Sequence, residues 1–322
     1  MIVAPEAVFV GGCPRSGTTL LASLLGALPG CVVTPESQFK HSPLRQLQQQ
    51  PAVPLSGPGL RRQLSAHLRF RHWDVSLEPG DPAERLGPAE LRQLLLALVR
   101  RFAERQAPWP ASLTWIDHTP QNIEAGLALA QLFPDCRLIH LVRDPRAVAA
   151  SLLPLDWGPH SPDGVAALWT QRLAHGLALE EALPDRIRRV RYEDLCREPE
   201  RTLAQLAGWL GLALPVADQP LRPVSDFLPA YTVHQHGLIG SPPRADRIEA
   251  WRSQLPPWQQ RRLESRLGEL MTLAGYLPDA PAPAAGERPP GPWRLQVLPL
   301  LRRVKGRLRH RRRQRRHGGQ LR

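Results

Sequence analysis

An apolar run, Val8-Phe9-Val10, passes into Gly11-Gly12-Cys13-Pro14-Arg15-Ser16-Gly17-Thr18-Thr19 and then into a Leu/Ala-rich stretch from Leu20. A strand that breaks into a glycine-bounded loop and re-enters the chain as a helix is a cradle for an anion. The loop amides and the helix N-terminus direct partial positive charge at one place. Gly12 and Gly17 stand five apart, the Walker A spacing. Position 18 holds Thr where Walker A needs Lys, and the positive charge lies inside the loop at Arg15. With no lysine to follow a γ-phosphate, the loop suits a nucleotide whose 5′ group is shorter or differently charged.

The pattern downstream alternates. Strands are expected at 7–11, 31–34, 113–117, 137–142 and 187–192, and helices at 18–28, 88–106, 122–132, 145–153, 165–182 and 199–211. The helix at 88–106 carries Leu91, Leu94, Leu95, Leu98, Val99 and Phe102 at helical spacing, and Asp144-Pro145 supplies an N-cap and an N1 proline for the helix after it. Such alternation predicts an α/β fold with a P-loop-type central parallel sheet flanked by helices. Ligands would sit beyond the carboxyl ends of its strands. Arg/Gln/Leu-rich segments at 43–50 and 59–71, separated by Pro51, Pro54, Gly57 and Pro58, read as a helical lid or substrate-facing layer. Residues 220–247 read as irregular, and helices at 247–254 and 256–274 close the unit.

Length and apolar content support one catalytic domain over 1–276, followed by a Pro/Ala/Gly-rich linker at 277–292 and a tail at 293–322. Charge is unevenly spread along that plan. The formal +13 arises almost wholly in residues 302–322, which hold 11 Arg/Lys and no acid and leave 31 basic and 29 acidic residues upstream. A sequence pI near 11 is thus the property of one segment rather than of a nucleic-acid-binding body. Cys13, Cys31, Cys136 and Cys196 are widely separated, which indicates neither a disulfide framework nor a zinc site and fits a reducing compartment. The apolar start of the chain lacks a basic flank and runs into the anion loop, so it reads as a core strand and not a signal peptide. No window reaches the roughly 20 apolar residues of a membrane span. The expectation is a cytoplasmic chain with a surface attachment at its end.

Four stretches together resemble the sulfotransferases that use 3′-phosphoadenosine 5′-phosphosulfate (PAPS), most of all their tyrosylprotein sulfotransferase-like branch. Pro14-Arg15-Ser16-Gly17-Thr18-Thr19-Leu20 is similar to the branch's 5′-phosphosulfate loop. The resemblance implies that the amides and hydroxyls of Ser16, Gly17, Thr18 and Thr19 hold the 5′-phosphate, with Arg15 against the oxygen that bridges to sulfur. A fixed guanidinium there would stabilise the charge that builds as the S–O bond breaks. Leu141-Val142-Arg143-Asp144-Pro145 through Ser151 resembles the 3′-phosphate site, implying Arg143 and Ser151 as its clamp. Arg191-Tyr192-Glu193-Asp194-Leu195 resembles the element that places Tyr192 near the adenosine, and Glu193 and Asp194 read as caps of the next helix. On pattern alone, Tyr192 reads equally as a packing tyrosine. The looser match, Ile239-Gly240-Ser241 through Arg247, implies Ser241 and Arg244 in a loop closing over the nucleotide.

On the acceptor side, Glu36 follows Arg15 by 21 residues, the offset at which the branch carries its general base. Asp117-His118-Thr119-Pro120 stands where relatives have a lysine segment, and this chain has His118 instead. Two readings of His118 stay open: a protonated donor to the bridging oxygen, charged only part of the time near neutral pH, or a satisfied polar group at a strand end. The resemblance implies PAPS as donor, no metal, and in-line displacement at sulfur onto an acceptor hydroxyl, with a peptide tyrosine as the leading candidate. A competing reading is a nucleotide-responsive scaffold whose tail engages nucleic acid or membrane. In that tail, Trp293, Leu295, Val297, Leu298, Leu301, Val304 and Leu308 alternate with arginines, which reads either as a basic amphipathic helix over 293–316 on an anionic membrane surface or as a disordered polycation. RNA contact is a third role for such a segment.

Overall fold

The computed structural model describes residues 4–105, 113–214 and 243–283, together with part of the segment 291–312. Its first strand, β1 (Ala7–Gly12), is buried along its whole length, and α1 (Thr18–Leu25) follows the loop as the spacing predicts. Then come β2 (Cys31–Val33), α2 (His41–Gln49), β3 (Leu55–Ser56), α3 (Gly57–Ala66), α4 (Leu68–Trp73), β4 (Arg85–Leu86) and α5 (Pro88–Glu104). The second half runs β5 (Thr114–Asp117), α6 (Gly126–Leu132), β6 (Arg137–Val142), α7 (Pro145–Leu152), α8 (Pro162–Ala182), β7 (Ile187–Arg191), α9 (Tyr192–Arg197), α10 (Pro199–Leu210), α11 (Trp251–Gln254) and α12 (Pro257–Leu273).

Five strands form one parallel sheet in the order β2-β5-β1-β6-β7. The chain leaves β1 toward one edge and later returns to build the other, so the order reverses around β1. Open parallel sheets bind ligands at such a point. Both faces are covered, which is why the strands are apolar runs and not alternations. On one face Phe9 packs edge-on to Trp115, centroids 5.4 Å apart, and against Phe133 at 5.3 Å. On the other, Val8, Val10, Ile116 and Leu141 meet Leu21 and Leu25 of α1 and Leu206 and Leu210 of α10.

The parallel sheet and its helices match the expected fold, with local differences. The segment expected as one helix over 59–71 is two, because His67 is extended (ψ 119°) and its ring Nδ1 accepts the Arg69 amide to start α4. The 122–132 helix is preceded by a turn of 3₁₀ helix, Pro120–Ile123. Glu193 does not cap α9. Its carboxylate accepts the Asp144 amide at 3.0 Å and the Tyr276 hydroxyl at 2.8 Å, so it bolts α9 to the turn before α7. Asp144 caps α7 as predicted, accepting the Arg146 amide at 2.8 Å.

The first residues of the expected linker are tied to the body. Asp279 pairs with Arg146, whose guanidinium also reaches Glu264 at 2.6 Å and lies 4.0 Å over the Trp251 ring. All four cysteines are buried and free. Among the described residues, no helix is long and apolar enough to cross a membrane.

Candidate active site

At the carboxyl end of β1 the chain turns within van der Waals reach of its neighbours. A Cβ on Gly12 would collide with the Leu141 carbonyl, and Gly17 sits at φ 99° with its face against the Tyr192 ring, where a Cβ would come within 2.6 Å of Cδ2. Glycine is therefore required at Gly17 both by its backbone conformation and by the tyrosine. Arg15 itself takes a left-handed conformation, φ 71°. Its Nε donates to Ser151 Oγ at 2.9 Å, and its carbonyl accepts Arg143 Nη1 at 2.8 Å. Arg143 stacks 3.9 Å over the Tyr192 ring. Three segments far apart in sequence thus converge on one crevice, and they are the three that carry Arg15–Thr19, Arg143–Ser151 and Tyr192.

The crevice is electropositive and incompletely satisfied. Burial lowers the Arg15 pKa, and the neighbouring Arg143 charge lowers it further. Burial raises the Tyr192 phenol to about 12, so it stays neutral. Among the described residues, the fully buried Ser16 hydroxyl has no hydrogen-bond partner, nor does Arg143 Nε. Buried polar groups in native proteins are paired, and those left over mark a place for a ligand or water. Phosphate oxygens would supply the acceptor each of them lacks, so the residues present fit a phosphorylated nucleotide. Thr18 and Thr19 lie buried in the first turn of α1. Arg244 is exposed and its side chain is paired with Asp246 at 2.8 Å, while its backbone reaches Cys196, the neighbour of Tyr192 on α9; Ser241 lies outside the described residues.

The acceptor side is built differently. Glu36 leaves the end of β2 half-buried, its Oε2 accepting Gln38 Nε2 at 2.8 Å and lying 3.1 Å from Arg69 Nη2 of α4. Arg69 also donates to Gln38 at 3.0 Å. The helical layer is anchored to the same loop by Trp73, whose Nε1 donates to the Pro35 carbonyl at 3.0 Å. His118 is wholly buried at the tip of β5. Burial lowers its pKa against the opposing pull of Glu36 and Asp117, so the ring is neutral at neutral pH. Of the two readings left open for His118, burial disfavours the protonated donor.

One residue escaped the sequence reading. Lys40 is fully buried, with Nζ 2.6 Å from Asp117 Oδ2, 2.6 Å from Asn122 Oδ1 and 2.7 Å from Ser37 Oγ. Asp117 accepts the Thr119 amide at 2.9 Å and its hydroxyl at 2.6 Å. Ser37 donates its amide to Thr119 at 2.8 Å, and Asn122 donates to the Val10 carbonyl at 3.2 Å. Burial opposes ionisation of Asp117, but Lys40 and these hydrogen bonds hold its carboxylate well below the usual range. One ammonium thereby pins together the segments that carry Glu36, His118 and the phosphate loop. Three acceptors converging from three directions suit a compact ammonium better than a planar fork. The signal in the sequence was rarity: of 42 Lys and Arg residues only Lys40 and Lys305 are lysines.

A glycine-bounded loop at the order reversal of a parallel sheet, flanked by two arginines and an unpartnered hydroxyl, defines a P-loop-type α/β fold. Residues 5–216 match the model of the sulfotransferase family, and the chain belongs to that family. A protein-tyrosine sulfotransferase of Drosophila melanogaster is 25% identical over 45% of this chain and 25% of its own length. Carbohydrate sulfotransferase 5 of Mus musculus is 30% identical over 44% of this chain and 41% of its own. The chain thus spans less than half the length of these relatives. In fold it is similar to the sulfotransferase domain of the curacin biosynthetic pathway (TM-score 0.56, 19% identity, 86% of this chain and all of that one). The sulfotransferase domain of the Synechococcus PCC 7002 olefin synthase is comparable (TM-score 0.57, 22% identity, 86% and 97%).

Among the described residues, no group of three or more His, Cys, Asp or Glu is placed to hold a metal.

Proposed function

We propose that this sulfotransferase takes PAPS as its donor and a hydroxyl, foremost a peptide tyrosine, as its acceptor. The observation that carries the reading is the meeting of Arg15, Arg143–Ser151 and Tyr192 beside the loop that carries the buried, unpartnered Ser16 hydroxyl. Ser16 to Thr19 and the N-terminus of α1 would hold the 5′-phosphate, and Arg143 with Ser151 the 3′-phosphate. The donor supplies an activated sulfuryl group whose transfer leaves negative charge on the bridging oxygen.

The chain's own residues do the rest. Arg15, fixed by its left-handed backbone and its bond to Ser151, presents a guanidinium that needs no rearrangement to face developing charge. Glu36 Oε2 accepts the proton of the incoming hydroxyl. Its pairing with Arg69 orients that carboxylate. A neutral His118 buried beside Glu36 shields that end of the cleft from water and offers an N–H donor.

A sugar hydroxyl is the second acceptor reading, favoured by the 30% identity to a carbohydrate sulfotransferase. Transfer of labelled sulfate from PAPS to tyrosine peptides and to oligosaccharides separates the two. The scaffold alternative predicts no transfer to either, and its thermal shift with PAP would not exceed that with ATP and Mg²⁺.

A further inference from the structure

The mechanism leaves the basic tail unused. Among its described residues, Pro299–Leu301, Val304–Gly306, Leu308 and Arg312 are helical. Leu300, Leu301, Val304 and Leu308 fall at i, i+1, i+4 and i+8, positions that share one face at the helical spacing of 3.6 residues per turn. All four are more than half exposed, as is Trp293 just upstream. Gly306, also helical and on the opposite face at that spacing, is buried. A Cβ there would press on the Asp156 carbonyl at 2.5 Å, so the helix backbone seats directly on the loop after α7. The seat adjoins a cavity of about 470 Å³ lined by Leu153, Asp156, His160, Leu255, Gln259 and Lys305. The body therefore takes the glycine side and turns the leucine stripe outward.

We propose that this outward face docks on an anionic lipid bilayer, making the enzyme peripheral to a membrane surface. Charge selects the occupant. Residues 302–322 hold 11 Arg/Lys and no acid, whereas the rest of the chain is nearly neutral. An apolar stripe in a segment whose formally charged residues are all cations matches a surface with anionic headgroups above acyl chains, and Trp293 is a residue type suited to the boundary between them. A second copy of this chain would bring 11 like charges against 11. A nucleic acid would use the cations and leave the leucines in water.

The test is co-sedimentation of the full chain with vesicles of phosphatidylserine and phosphatidylcholine in equal parts, beside vesicles of phosphatidylcholine alone. A second full-length protein carries Leu300→Ser, Leu301→Ser, Val304→Ser and Leu308→Ser, which removes the stripe and keeps every charge. The parent is expected to pellet with the anionic vesicles and not with the neutral ones. The variant should partition at least about tenfold more weakly, with its thermal midpoint unchanged because these side chains are exposed. A parent that stays in the supernatant, or a variant that pellets as well as the parent, overturns the proposal. Sedimentation of the parent in density-matched buffer as a dimer through this face, or tighter binding to RNA than to the anionic vesicles that survives the four substitutions, would assign the face to those partners instead.

Discussion

The two walls of the cleft are held by opposite means. The donor wall is local and open: a twelve-residue strand-loop segment and one strand-helix turn bring two guanidiniums together, with hydroxyl and N–H groups left unpaired inside. The acceptor wall is non-local, and at its centre Lys40, Ser37, Asp117 and Asn122 form a closed cluster whose polar atoms are spent on one another. Open polar groups await a ligand and contribute to binding. Closed networks fix geometry and contribute to stability, at a desolvation cost that makes their disruption expensive. Substitutions on the donor wall should therefore cut activity or affinity while sparing the fold, and those at the acceptor wall's centre should do the reverse.

The sharpest break of that contrast is Arg15→Ala. Removing a preorganised donor to developing charge lowers turnover on the order of 10²–10³-fold, and circular dichroism should show the fold intact. Lys40→Met comes next: it strands the buried Asp117 carboxylate and should destabilise the protein by about 3–5 kcal/mol in urea unfolding. The double variant Lys40→Met with Asp117→Leu should recover much of that stability, since the uncompensated charge is gone. Arg143→Ala should weaken PAP binding by about 1.5–3 kcal/mol, the worth of a hydrogen bond to a charged group, with an unchanged urea midpoint. Arg69→Ala should shift stability by no more than about 1 kcal/mol, because the pair with Glu36 is partly solvated. Its effect belongs in the acceptor KM.

Acidity probes two buried histidines of the helical layer separately. Burial, aided by Lys40, lowers His41 from 6.5 to about 3, and burial with Arg69 nearby lowers His72 to about 4. The unfolded chain binds protons at these histidines from pH 6.5 downward while the native one does not. Their contribution is complete above pH 6.5 and drains away as pH falls toward 4 and 3, so the thermal midpoint should fall steadily over that interval. A midpoint that rises on acidification through it would contradict the burial of these rings.

The donor wall was legible because its chemistry is written in adjacent residues. Gly17, Arg15 and Asp144-Pro145 each announce a backbone conformation or a cap, and sheet order then brings Arg143 and Tyr192 to the same edge without further instruction. The acceptor wall was legible only at Glu36. Lys40 sits on a 3₁₀ turn, Gln38–Lys40, 77 residues from Asp117, and no local pattern joins them. Glu193 was misread for the same reason: its place in a first helical turn suggested a cap, yet its partners are Asp144 and Tyr276. His118 was visible as a residue but its charge state was not, since burial is the largest influence on it and burial is a property of the fold.

Titration calorimetry of the full chain with PAP and, in parallel, with 5′-AMP tests the two-grip donor site most directly. The account predicts that losing the 3′-phosphate weakens binding at least about tenfold in the parent, the worth of one charge-assisted contact, and that Arg143→Ala erases this difference. Equal affinity of the parent for the two nucleotides would contradict it.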